Sequence, residues 1–339
     1  MKRLAVGVLW ATGLLAAVVA GAWVLLGGVQ PVADPGPPRP ALTYAEALAR
    51  VDSVRTLEGS DLNPACRTRV LASGGRAANA IVLFHGFTNC PKQCDSLAAD
   101  FARRGYNVLL PRMPRHGQSD RMSTELTHLT AGELTRSGMD AVDIATGLGE
   151  HVTVLGLSAT AILAAWLAQH RADVDCAVLL APSFAPRGMR GPVARRLTNA
   201  MLRLPNFFVW WDRKRKADVL GPKQCYPRFA SRALAEVYRL GFTVLDEADR
   251  ARPSAGRILI VTTASDEGVN NAPTNELARR WRARGATVGT YEFPESLHVH
   301  HDMLDPEQPY QRIGVSYPVI EGLVEGAMAP ARTAAPLAP

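Results

Sequence analysis

The sequence predicts an α/β fold in which a mostly parallel sheet carries helices on both faces. From Ala80 onward, short apolar runs rich in β-branched residues alternate with longer helix-like runs. Several short runs are apolar without interruption, as in strands buried on both faces. The expected strands lie near residues 80–84, 107–110, 152–157, 174–181, 257–263 and 286–293, and the expected helices near 92–104, 130–149 and 159–170. Such alternation is typical of a parallel sheet joined by crossover helices.

One long stretch, residues 183–253, separates two predicted strands. A crossover needs only about a dozen residues, so we expect a lid insertion over the strand ends. Its aromatic run, residues 207–211, is expected to line a pocket for apolar chains or to contact a membrane surface. The alternative is that these aromatics form a small core within the lid itself. Its basic run, residues 213–216, is interpreted as a solvated face, with contact to anionic head groups as the alternative.

The predicted strand 152–157 leads into Gly156-Leu157-Ser158-Ala159-Thr160 and then an apolar helix-like run. This order indicates a nucleophile elbow, a sharp strand-to-helix turn with serine at its tip. Backbone amides at a helix N-terminus can stabilise an oxyanion there. The usual pattern is G-x-S-x-G, and Thr160 departs from it. The plainer alternative is that Ser158 only caps the helix.

Three other strand ends supply the expected partners of such a serine. After the strand at 80–84, the turn at His85-Gly86-Phe87 is expected to offer the Phe87 amide, beside that of Ala159, to an oxyanion. Asp266 follows the strand at 257–263 and is the predicted acid, with Glu267 as the alternative. Three histidines follow the last strand, and one of them should be the base: His298, His300 and His301. Serine, acid and histidine then occur in the order expected for this fold class.

In these motifs the chain resembles the α/β-hydrolase superfamily, particularly bacterial carboxylesterases and monoglyceride-lipase-like members. The motifs that carry the resemblance are residues 85–88, 115–119, 156–159, Asp266 and 296–299, within a span of about 80–323. The resemblance implies hydrolysis of carboxylic esters through an acyl-enzyme. The aromatic run favours a small ester with an apolar acyl part. No cofactor is expected, and no metal either, because three histidines on one short loop cannot easily all face one ion and no H-E-x-x-H string is present. The resemblance also selects His298 as the base, because Ser296-Leu297-His298-Val299 fits the family's S-x-H-V string, leaving His301 and His300 as alternatives. A thioesterase or acyltransferase with the same triad, or a non-catalytic scaffold, remains as another interpretation.

The N-terminus predicts a membrane anchor. Residues 4–29 carry no charge and follow Lys2 and Arg3, so the main domain is expected outside the cytoplasm, either periplasmic or extracellular. The alternative is a signal peptide cleaved near residues 20–22, which would release a secreted protein. The predicted organisation is an anchor or signal segment (1–29), a Pro-rich linker (30–45), a hydrolase domain (46–327) and a disordered tail (328–339).

The charge of the chain gives no indication of nucleic-acid binding. The net charge is +7 and no basic groove interleaved with aromatics is present, so no nucleic-acid partner is expected.

The chain has five cysteines, and an oxidising compartment would permit disulfides. Cys66 and Cys90 are plausible partners, whereas Cys176 lies in a predicted buried strand and is expected to be unpaired. Cys90 and Cys94 lack the second pair that a zinc site would need.

Overall fold

The protein is described from a computed structural model that covers residues 10, 12–15, 18, 19, 21, 22, 28–185, 188, 189, 191–214 and 222–328. Most of the predicted anchor and the whole of the tail from residue 329 lie outside these ranges. Within them, no helix combines the length and hydropathy needed to cross a bilayer.

The elements follow the predicted alternation. The strands are β1 (Arg69–Leu71), β2 (Ala77–Phe84), β3 (Asn107–Leu110), β4 (Gly149–Leu157), β5 (Cys176–Leu180), β6 (Phe208–Trp210), β7 (Arg228–Ala230), β8 (Arg257–Thr263) and β9 (Val288–Phe293). The α-helices are α1 (Tyr44–Leu57), α2 (Asp95–Arg103), α3 (Ala131–Leu148), α4 (Ala159–His170), α5 (Gly191–Arg203), α6 (Ser231–Ala248), α7 (Asn271–Ala283) and α8 (Ile313–Met328).

Seven strands form one sheet in the order β1-β3-β2-β4-β5-β8-β9. The edge strand β1 is antiparallel to β3, and the other neighbouring pairs are parallel. This confirms the predicted mostly parallel sheet. The carboxyl ends of β2, β4, β8 and β9 therefore meet at one edge, where polar groups of open α/β sheets gather.

Two apolar clusters pack on opposite faces of this sheet. One holds side chains of α3, α4, α6 and α7, and the other holds side chains of α2 and α8. Helix α4 lies deepest, because its residues from Ala159 to Gln169 are all buried. The helix that begins at the candidate nucleophile is thus fixed on every side.

The stretch predicted as a lid, residues 183–253, divides into two parts. Helix α6 packs on α4 within the core, so the insertion above the sheet is shorter than expected. The β6–β7 hairpin packs Phe229 on Phe87, with ring centroids 5.6 Å apart, and the segment between the two strands contributes Trp211, Pro222, Cys225 and Tyr226 to a cavity above the strand ends. The predicted linker also packs on the domain: the Val32 amide donates to Thr243 Oγ1 at 3.0 Å, and the Arg39 amide donates to Asp143 Oδ2 at 2.9 Å.

Candidate active site

Ser158 stands at the turn between β4 and α4, with φ 61° and ψ −111°. A non-glycine residue at positive φ is uncommon and costs free energy, so surrounding contacts must hold it. The Ser158 amide donates to the Leu180 carbonyl at 2.8 Å, and its own carbonyl accepts from the Ser183 amide at 3.2 Å. These bonds fix the strained backbone to the end of β5 and to the loop that follows it.

The sharp turn explains why residue 156 is a glycine. A Cβ added there would lie 2.1 Å from the Thr160 carbonyl oxygen, so only glycine fits. Thr160, the departure from the usual motif, is buried and accommodated. Its hydroxyl accepts from the Leu157 amide at 3.0 Å and lies 3.0 Å from the Phe84 and Leu157 carbonyl oxygens, to one of which it donates.

His301 joins Ser158 to Asp266. Its Nε2 lies 2.8 Å from Ser158 Oγ, and its Nδ1 lies 2.7 Å from Asp266 Oδ2. Asp266 is held in turn by the Gly268 and Val269 amides, which donate to Oδ1 at 2.8 and 3.0 Å. Three side chains from three strand ends thus form one hydrogen-bonded chain.

The structure departs from the expectation that His298 is positioned as the base. His298 ends the 3₁₀-helix Glu295–Leu297 in a left-handed conformation, φ 48°, and its ring bonds neither Ser158 nor Asp266. The next residue, Val299, is buried, and its carbonyl accepts from Thr263 Oγ1 at 2.6 Å. This anchor at the end of β8 sets the path of the loop, so that His301 reaches Ser158. His300 lies beside Tyr310 instead, with ring centroids 5.6 Å apart.

Asp266 is buried, whereas the alternative acid, Glu267, is exposed. Burial alone would raise the pKa of the Asp266 carboxyl. The hydrogen bond and charge of His301, with the Gly268 and Val269 amides, outweigh burial and hold this pKa below its usual value. Asp266 is therefore ionised at neutral pH and suited to orienting an imidazole.

The predicted oxyanion donors are the amides of Phe87 and Ala159. Ala159 is the first residue of α4, so its amide has no acceptor within the helix. Phe87 and Ser158 line the same cavity. His85 braces the turn before Phe87: its Nε2 accepts from the Met113 amide at 3.1 Å, and its Nδ1 lies 2.9 Å from the Gly86 carbonyl. Burial holds the pKa of His85 well below its usual value, so the ring is neutral.

A cavity of about 540 Å³ opens above Ser158 and His301. Apolar surface dominates its lining, to which Phe87, Leu157 and Trp211 contribute. Trp211, predicted as part of a pocket for apolar chains, donates from Nε1 to Thr88 Oγ1 at 3.0 Å. The Tyr226 amide donates to the Thr88 carbonyl at 2.8 Å. The hairpin side of the cavity is thus tied directly to the oxyanion turn.

One disulfide joins Cys66 to Cys90, the pair that the sequence suggests as plausible partners. It ties the 3₁₀-helix Pro64–Cys66 to the loop that follows the oxyanion turn. Cys94, Cys176 and Cys225 are free thiols. The expectation for Cys176 is confirmed: it is buried in β5, and burial raises the pKa of its thiol to about 12.

A serine at a strained strand-to-helix turn, joined through histidine to a buried aspartate, defines a serine-hydrolase-like site. Residues 81–313 match the model of the alpha/beta hydrolase family, and the chain belongs to that family. A stretch of 100 residues is 32% identical to a thermostable monoacylglycerol lipase of Bacillus sp. (strain H-257). That stretch covers 28% of this chain and 36% of the lipase, so the likeness spans about a third of the relative.

Solved structures share the fold at low identity. A structure reported with two metagenome-derived lipolytic enzymes, LipS and LipT, superposes with a TM-score of 0.58 at 18% identity, covering 78% of this chain and 99% of that one. A monoacylglycerol lipase of Paleococcus ferrophilus gives 0.57 at 16% identity, over 76% and 98%. A soluble variant of monoglyceride lipase from Saccharomyces cerevisiae gives 0.57 at 12% identity, over 77% and 90%.

Proposed function

We propose that the protein hydrolyses carboxylic esters through an acyl-enzyme, with Ser158 as nucleophile, His301 as base and Asp266 as orienting acid. The observation that carries this proposal is the His301 ring, which lies 2.8 Å from Ser158 Oγ and 2.7 Å from Asp266 Oδ2. Nucleophile, base and orienter within hydrogen-bond reach are the signature of an activated serine.

In the acylation step, His301 Nε2 takes the Ser158 proton as Oγ attacks the ester carbonyl carbon. The Asp266 carboxylate accepts from Nδ1–H and stabilises the resulting imidazolium. The amides of Phe87 and Ala159 donate to the oxyanion, and removing one such donor typically costs about 10²–10³ in rate. The tetrahedral intermediate then collapses: its bond to the alcohol oxygen breaks, His301 gives its proton to that oxygen, and the acyl group stays on Ser158 Oγ.

In deacylation, His301 takes a proton from water, and the resulting hydroxide attacks the Ser158 ester. The carboxylic acid leaves as Oγ regains its proton from the imidazolium. The apolar wall of the cavity, with Phe87, Leu157 and Trp211, favours esters whose acyl part is apolar. The likeness to a monoacylglycerol lipase agrees with this substrate class.

The proposed location of the domain is outside the cytoplasm, on a retained anchor or after signal cleavage. The Cys66–Cys90 disulfide supports it, since such bonds persist in oxidising compartments. The uncharged run at residues 4–29 after two basic residues supports it as well. Fractionation of cells expressing the full chain, with N-terminal sequencing of the product, tests this proposal. A cytoplasmic protein with reduced Cys66 and Cys90 would contradict it.

The activity is tested with short p-nitrophenyl esters and a fluorophosphonate probe. The wild-type protein should turn over the esters and carry the probe on Ser158, and Ser158→Ala should lose both with its fold retained. Turnover that survives in Ser158→Ala would refute the assignment. A wild-type protein that neither turns over esters nor reacts with the probe would favour a non-catalytic binding protein.

A further inference from the structure

Gln93 spans the gap between the two loops on which the proposed chemistry depends. It lies on the 3₁₀-helix Pro91–Cys94 and is 2% exposed. Its Oε1 accepts from the Gly86 amide at 2.6 Å, and its Nε2 donates to Asp302 Oδ2 at 2.8 Å. Gly86 directly precedes Phe87, and Asp302 directly follows His301. The Gln93 carboxamide thus connects Gly86, next to the proposed oxyanion donor Phe87, with Asp302, next to the proposed base His301.

We propose that Gln93 is a positioning residue that sets the distance between the Phe87 amide and the His301 ring, an inference that rests on the proposed function. It borders the same cavity as Ser158 and His301 but hydrogen-bonds to neither; it acts through the Gly86 amide on one loop and the Asp302 carboxylate on the other. Catalytic groups misplaced by about 1 Å can cost about 10²-fold in rate. A rigid bridge between base and oxyanion donor therefore affects the transition state more than substrate binding.

Both ends of the bridge are held firmly. Asp302 Oδ1 accepts from the Leu304 and Asp305 amides at 3.2 and 3.1 Å, so its carboxylate is fixed within its own loop. At the other end, a Cβ on Gly86 would lie 3.3 Å from Gln93 Oε1, so the side-chain carboxamide of Gln93 packs closely on that turn. The backbone N–H of Gln93 donates to the carbonyl of Cys90, and the disulfide joins Cys90 to Cys66.

The chemistry of the bridge requires an amide. Gly86 presents a donor and Asp302 presents an acceptor, so the side chain between them must offer an acceptor at one end and a donor at the other. Glutamate would place two acceptors there and set a carboxylate against Asp302. Methionine has a similar length but makes neither bond.

Gln93→Met is the primary test. We expect kcat on a short p-nitrophenyl ester to fall about 10- to 100-fold. Gln93 borders the cavity, but methionine has a similar length, so KM should change by less than about threefold. The rate of fluorophosphonate labelling at Ser158 should fall in parallel, since that reaction uses the same nucleophile and oxyanion donors.

Gln169→Met is the matched control. Gln169 is also buried, accepts from Trp281 Nε1 at 2.9 Å and donates to the Ala251 carbonyl at 3.3 Å, but it lies at the far end of α4. Its loss should lower the melting temperature and leave kcat within about twofold of wild type. If the two variants lose stability alike and Gln93→Met keeps its kcat, Gln93 has a structural role only and the inference is overturned.

Gln93→Glu adds a readout that general destabilisation does not produce. A carboxylate facing Asp302 raises the pKa of one member of the pair, and the protonated form can then donate across the bridge. The kcat/KM of this variant, divided by that of wild type at the same pH, should therefore rise as the pH falls from about 8 to about 6. A ratio independent of pH would contradict the inference. A wild-type protein that fails to label at Ser158 would instead overturn the proposed function, and this inference with it.

Discussion

The Thr160 hydroxyl accepts a hydrogen bond from the Leu157 amide at 3.0 Å, inside the turn that presents Ser158. The same hydroxyl lies 3.0 Å from the Phe84 carbonyl at the end of β2, the strand that leads to the oxyanion turn. Glycine at this position would leave the buried Leu157 amide without this partner. Thr160 therefore repacks the elbow with an added tie to the neighbouring strand and leaves Ser158 in place.

Removing this hydroxyl should destabilise the protein. Thr160→Val keeps the shape but leaves the Leu157 amide unpaired, a loss of about 1–3 kcal/mol in the free energy of unfolding. Thr160→Ser keeps the hydroxyl and serves as the control. Denaturant titration of the two variants measures the difference. Equal stability of Thr160→Val and wild type would show that the bond has no net value.

Asp266→Asn should lower kcat by about 10⁴-fold while the Michaelis constant changes little. Asparagine can donate to Nδ1 and so favours the tautomer with its proton on Nε2, which is unable to accept the Ser158 proton. Steady-state kinetics on a short ester measures the loss. A decrease of less than about tenfold would mean that Asp266 does not orient the base.

Asp266 also makes a predictable contribution to acid stability. Its pKa is lowered in the folded protein, so its ionised form stabilises the fold above the unfolded-state pKa of about 3.9. That contribution is lost as the pH falls through the lower, folded-state pKa. The stability difference between wild type and Asp266→Asn should therefore shrink in acid, as unfolding titrations between about pH 6 and pH 3 would show.

Reduction of the Cys66–Cys90 disulfide should lower the free energy of unfolding by about 3 kcal/mol, as expected for two cysteines 24 residues apart in sequence. Thermal unfolding with and without a reductant measures this. The Cys66→Ala/Cys90→Ala double variant should melt at the temperature of the reduced protein and show no response to reductant. A response in that variant would assign the effect to other thiols.

The parallel sheet and most of the site could be predicted from local patterns. The apolar runs of β2, β4 and β8 are long enough to mark buried strands, and the residues after each strand end supplied Phe87, Ser158 and Asp266. Edge strand β1 has only three residues and no buried one, so it leaves no comparable pattern. Helix α6 was assigned to the lid because sequence spacing does not reveal that it packs on α4.

The choice among the three histidines required tertiary structure. A family-like string pointed to His298, but the position of the base depends on where Val299 anchors the loop to Thr263, a contact 36 residues apart in sequence. Gln93 was missed for a similar reason. Its two partners, Gly86 and Asp302, lie on different loops, and neither spacing nor composition brings them together.

The comparison of His301→Asn with His298→Asn tests the central claim most directly. Asparagine tolerates the left-handed backbone of residue 298, so both variants are expected to fold. On a short p-nitrophenyl ester, His301→Asn should lose at least about 10³-fold in kcat/KM, while His298→Asn should stay within about threefold of wild type. The opposite result, activity lost at residue 298 and kept at residue 301, would contradict the assignment of His301 as the base.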